Sequence, residues 1–162
     1  MKRASYIAAA ATVFVASVIS SALAQTNAGS IEPAGARAFV DQVIAYEVRS
    51  DTTMRDKAFL AFFTPRFRSA IEKDMAGPEL NVIDSDFLCQ CQTGVVKMDI
   101  LGIASSENTA VVSIESWSVG ENPPVKLKWH LWREGQAWRI SDVETSQRSS
   151  LLTELERSNR LH

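Results

Sequence analysis

Between Pro33 and Gly77 apolar residues recur three and four positions apart, and beyond Val95 they alternate with polar ones. This change of period divides the chain into a helical first part and a stranded second part. Phe39, Val43, Ile44 and Tyr46, widened by Val40 and Val48, form the stripe of a first helix ending near Val48. A second helical piece runs from about Asp56 to Phe63, with Ala58, Phe59, Phe62 and Phe63 as its apolar face. The pair Thr64-Pro65 reads as N-cap and first helical residue of a third helix, which buries Phe67, Ala70, Ile71 and Met75 and stops at Gly77-Pro78.

Four alternating runs follow, 95–104, 109–119, 125–134 and 137–144, separated by connections rich in Ser, Asn, Gly and Pro. Short connections imply antiparallel neighbours. One side of the expected sheet carries Val96, Met98 and Ile100, then Ala110, Val112 and Ile114, then Val125, Leu127, Trp129 and Leu131, then Trp138 and Ile140. That side faces the helices. The other carries Lys97, Asp99, Ser113, Glu115, Trp117, Lys126, Lys128, His130, Trp132 and Arg139. A closing amphipathic helix spans 150–158 with Leu151, Leu152 and Leu155 inward. The fold class is therefore α+β: N-terminal helices packed on one face of a curved, cone-like, four-stranded antiparallel sheet, with a short C-terminal helix.

Two features place the chain. Lys2 and Arg3 precede an uncharged run rich in Ala, Val and Ile that closes on Ala22-Leu23-Ala24, the pattern of a signal peptide over residues 1–24. Residues 25–37 are small and polar and read as a flexible lead-in, leaving 38–160 as a single domain. Without Lys2 and Arg3 the mature chain keeps 15 of the 17 basic residues against 19 acidic ones, a formal charge of about minus four. A mildly acidic surface with no basic run argues against nucleic acid or anionic lipid as partner, and no later segment is apolar enough to insert in a bilayer. The expected location is the periplasm or the exterior.

The run WHLWREGQAWRISDVE over 129–144 pairs an alternating strand with a tight Glu-Gly turn and a second strand. Together with TPRFRSAIEKD at 64–74, the acid-x-acid segment with its Cys/Gln pair and the Leu-rich last helix, it resembles a bacterial family of exported domains of unknown function. That family lies within the nuclear transport factor 2-like, or cystatin-like, superfamily. The resemblance spans Ala38 to Ser158 and implies a cone-like fold without implying an activity. The middle segment of that family reads acid-x-acid-Pro and ends in Gln-Asp. Asp84 and Asp86 match, whereas Phe87 stands at the Pro position and Gln92 is followed by Thr93.

The segment DSDFLCQCQTG, 84–94, holds both cysteines. In an extended strand, residues two apart lie about 6.4 to 6.8 Å from each other, at the far limit for a disulfide. A bridge between Cys89 and Cys91 would need a bent backbone, and free or intermolecularly paired thiols in a buried corner remain the other readings. The segment is expected to lead structurally into the first long strand, anchored by Phe87 and Leu88, with thiols dispensable for folding. No metal is expected: a thiolate pair needs further ligands, and the histidines are His130 inside a strand and the terminal His162. Asp84 and Asp86 lack the longer acidic series of a calcium loop and read as turn-forming, N–H-capping residues. No other cofactor is implied, and no nucleophile elbow, phosphate loop or zinc-protease helix is present.

Two functional readings follow. The first is an exported, non-enzymatic binding module, of the inhibitor or immunity type, that uses either the mouth of the cone or the outer sheet face with Trp117, Lys126, Lys128, His130, Trp132 and Arg139. Exposed Trp beside cations marks an interface, with self-association through this face the first expected use and a heterologous envelope protein the second. The second reading is a small-molecule cone, with or without catalysis, built around Asp142. That residue is in phase with Trp138 and Ile140 and so points to the cavity. Enough large side chains face inward (Trp129, Trp138, Phe59, Phe62, Phe63, Phe67) to fill that cavity, which favours the first.

Overall fold

The computed structural model describes residues 35–49, 54–77, 82–83, 85–91, 94–120 and 123–160. The expected signal peptide and most of the expected lead-in lie outside these residues, as do Asp84, Gln92 and Thr93. Helix α1 spans Ala36–Glu47, α2 Lys57–Leu60 and α3 Pro65–Ala76. Strands β1 Val95–Ser105, β2 Thr109–Ser118, β3 Val125–Glu134 and β4 Ala137–Thr145 follow, and α4, Leu151–Ser158, closes the chain. The strands pair antiparallel in the order β1-β2-β3-β4, so the architecture is α+β.

Local chemistry explains the boundaries. The Thr64 hydroxyl accepts the Phe67 N–H at 3.4 Å and Pro65 occupies the first turn of α3, while Ser150 accepts the Thr153 N–H at 3.0 Å to start α4. Helix α1 begins inside the segment read as lead-in, because Ala36 is already buried against the core. The second helix stops at Leu60 rather than running to Phe63. Phe62, Phe63 and Thr64 leave it to run parallel to β4: the Ile140 N–H donates to the Phe62 carbonyl at 2.8 Å and the Thr64 N–H to the Ile140 carbonyl at 2.9 Å. This short segment satisfies backbone groups that β4 would otherwise leave exposed at a sheet edge.

The core lies between the helices and the inner sheet face. Val112, Ile114, Leu127, Trp129, Leu131, Ile140 and Val143 meet Val40, Val43, Phe59, Phe63 and Phe67 there. Phe87 joins Phe59, Phe63 and Phe67, with ring centroids 5.8, 5.6 and 6.0 Å away. All six large side chains expected to close the cone are buried.

The pairing register contains three irregularities: between Val95 and Lys97, between Ile100 and Gly102, and opposite the step from His130 to Leu131. In the third, Leu131 pairs with Ile140 but His130 pairs with Asp142, so Ser141 is an extra residue in β4. A bulge of this kind shifts the alternation by one position. Val143, not Asp142, therefore continues the inward series of Trp138 and Ile140.

Candidate functional site

Alternation carries Trp117, Lys126, Lys128, His130, Trp132 and Arg139 to the outer sheet face, in the register Thr109–Trp132–Arg139, Ser113–Lys128–Glu144, Glu115–Lys126 and Lys97–Trp117. They do not converge into one cluster. Trp117 pairs at one end of β2 and Trp132 beside Thr109 at the other, eight residues or about 26 Å apart at strand rise. Ion pairs occupy the middle: Lys128 Nζ to Glu144 at 2.6 Å, His130 Nε2 to Glu144 at 3.3 Å and Lys126 Nζ to Glu115 at 3.8 Å. The Lys128 ammonium, and then His130, hold the Glu144 carboxyl below its usual range. The rings stay open to solvent, Trp117 at 36% and Trp132 at 47% exposure. Among the described residues the cation over an aromatic ring is Arg49 above Tyr46. Leu101, displaced outward at the second bulge, is 54% exposed and borders a shallow depression of about 360 Å³ with Ser113, Lys126 and Lys128.

The Asp142 assignment as a pocket acid is overturned by the Ser141 bulge. Its Oδ1 accepts the N–H groups of Val143 at 2.8 Å and Leu152 at 2.9 Å. Leu152 lies in the first turn of α4, so Asp142 satisfies a helix N-terminus instead of facing a cavity.

A second site forms where the turn before β1 meets the end of α1. Asp86 and Cys91 exchange backbone hydrogen bonds, N to O at 3.2 and 3.3 Å, and Asp86 Oδ1 accepts the Leu88 N–H at 2.9 Å. The enclosed turn brings the Cys89 and Cys91 Cα atoms to 5.2 Å, and the two sulfurs are bridged. The extended-strand distance that opposed a bridge does not apply, because residues 87–90 form a turn in which Gln90 takes a left-handed φ of 56°. Phe87 and Leu88 are buried, and the Trp129 indole N–H donates to the Leu88 carbonyl at 3.2 Å.

Against this turn lies Glu47, the last residue of α1 and only 6% exposed. Oxygens of Glu47 and Asp86 and the Cys89 sulfur lie within 4.8 Å of one another. Burial, then the charge and hydrogen bond of Asp86, push the Glu47 carboxyl up to about 9. At neutral pH Glu47 therefore carries the proton and donates to Asp86. A bridged sulfur offers no thiolate and a protonated Glu47 no carboxylate, so in this state the trio is an acid beside a disulfide rather than a metal centre. Sequence reading passed over Glu47. The signal was its phase: it follows Val40 and Val43 by seven and four positions, the buried side of the helix.

No family model matches the chain, and no curated protein matches it. Two solved structures share its fold, both of the type VI effector–immunity complex Tae3–Tai3 from Ralstonia pickettii. A chain of the selenomethionine form aligns with a TM-score of 0.54 at 14% identity, covering 67% of this chain and 94% of that one. A chain of the native form aligns with a TM-score of 0.54 at 16% identity, covering 70% and 95%. Likeness at this identity is a likeness of fold.

Proposed function

We propose that this chain is an exported protein-interaction module that binds another protein through its outer sheet face. The observation that carries the reading is Trp132, a large ring 47% exposed on a sheet whose opposite face packs against the helices. Trp is among the residues that dominate interface energetics; the register partner of Trp132, Arg139, donates to the Trp138 carbonyl at 2.9 Å and borders a depression with Tyr46 and Phe62 at the sheet edge. Trp117 and Leu101 extend the same surface toward the other end of the sheet. Among the described residues the large side chains expected to fill the inner chamber are buried, which counts against the small-molecule reading, and the fold likeness to chains of an effector–immunity complex supports a protein occupant over a small one. The leader over residues 1–24 supports export, and among the described residues no helix is long and apolar enough to cross a membrane. The resemblance to exported cystatin-like domains is consistent with both.

The test expresses the full chain, recovers it from the periplasmic fraction and compares capture of envelope protein by the wild type and by Trp132→Ser and Trp117→Ser. A partner bound by the wild type and lost at least about tenfold by Trp132→Ser, the order of one hot-spot side chain, with the melting curve kept, is the expected result. Sedimentation separates a foreign partner from a second copy. A wild type that stays monomeric and captures nothing, or a chain absent from the periplasm, overturns the reading.

A further inference from the structure

We propose that the Cys89–Cys91 bridge is a redox-active site for dithiol substrates, in which Glu47 donates the proton that the departing Cys89 sulfur requires. This goes beyond the protein-binding reading and stands without it.

Four observations point the same way. The bridge spans one intervening residue, a loop too small to remove much entropy from the unfolded chain, so stapling does not account for it. The intervening residue, Gln90, is the one non-glycine with positive φ among the described residues, a backbone state that costs energy and collects at functional sites. Both cysteines are buried, 1% and 3% exposed, where a bare thiolate is costly; opening the bridge there demands a proton for the leaving sulfur. Glu47 is the acid at hand: its oxygen lies within 4.8 Å of the Cys89 sulfur, a gap that one water or a small movement of the leaving sulfur closes, and Asp86 helps to keep it protonated. The charged and titratable neighbours of Glu47 are Asp86 on the facing turn and, beside it on its own helix, Tyr46. Attack on Cys91 requires the turn to open locally; Gln90, half-buried between the two cysteines, borders an open cavity of about 420 Å³ with Pro124, Lys126 and Gln147 from which a dithiol can enter.

In the step, one thiolate of the dithiol attacks the Cys91 sulfur. The Cys89–Cys91 bond breaks with its electron pair on Cys89, and the Glu47 proton passes to that sulfur, leaving a carboxylate. The second substrate sulfur, deprotonated, attacks the first, and Cys91 departs as a thiolate that takes a proton from water. The substrate leaves as a disulfide, oxidised by two electrons. The chain holds two thiols, and Glu47 regains its proton from solvent, so the two protons shed by the dithiol balance the two taken up.

The experiment measures reduction by dithiothreitol through alkylation and intact mass, with the rate divided by thiolate concentration, from pH 6 to 10. For the wild type the corrected rate is expected to hold steady and then fall above about pH 9, where Glu47 loses its proton. Glu47→Gln should react at least about tenfold more slowly at pH 7, the low end of general-acid effects, and lose the fall; Glu47→Asp should recover part of the rate. A change that merely loosened the turn would speed reduction instead. Equal or faster reduction of Glu47→Gln, or a wild-type profile flat through pH 9, overturns the proposal, and the wild-type profile decides alone if that variant does not fold.

Discussion

Glu47 holds a carboxyl at a position where an apolar side chain would continue the stripe of Val40 and Val43 without electrostatic cost. Its proton has a consequence for folding that is independent of any chemistry at the bridge. In the unfolded chain the group titrates near 4.5 and in the folded chain near 9. Between those values the native state keeps a proton that the unfolded state has shed, so the raised pKa adds stability that is complete below about pH 4.5 and falls as pH rises toward 9. The slope is up to about 1.4 kcal/mol per pH unit. Glu144 and Glu156 are shifted the opposite way, by Lys128 and Arg66; their contribution is lost as pH falls below the ordinary carboxylate range and is constant above pH 6. Urea unfolding at pH 6 and pH 8 should therefore show a wild type that weakens with pH and a Glu47→Gln variant that does not. A wild type equally stable at both would place the proton elsewhere.

At the scale of elements, what was legible were features written in local composition. Thr64-Pro65, Ser150 and the Gly135 turn stop and start elements through chemistry that depends on the residue itself, and all four strands lie where alternation puts them. The bulge at Ser141 leaves no such mark, because its Ser differs in no local respect from an ordinary outward residue. What creates it is long-range: the Ser141 hydroxyl bonds the His130 carbonyl at 3.0 Å while Asp142 reaches α4. The end of α2 was hidden for the same reason, since Phe62 and Phe63 fit a helical stripe but are drawn off by the edge of β4. Asp142→Ala tests the capping role. It should cost about 0.5 to 2 kcal/mol, the range for losing a side-chain cap, read as a lowered urea midpoint at unchanged slope. An acid kept for a pocket would instead leave stability unchanged or improved on removal.

For the molecule as a whole, the two halves meet over Phe87: it belongs to the turn before β1, yet its ring packs among Phe59, Phe63 and Phe67 from the helical half. Phe87 and Leu88 were readable as anchors from their place in a polar segment, whereas the bridge beside them was not, because it depends on the turn that those anchors impose. If the anchors hold the turn and the bridge merely sits in it, the two can be removed separately with different results. Phe87→Ala should empty the centre of the cone and cost about 3 to 5 kcal/mol, as large-to-small changes at full burial do. The double change Cys89→Ser and Cys91→Ser keeps every ring in place and should cost no more than about 0.5 to 3 kcal/mol, the range of an ordinary substitution. Both are read from urea unfolding under oxidising conditions with the wild type alongside. A double serine variant less stable than Phe87→Ala would mean that the bridge, and not the aromatic cluster, joins the turn to the core.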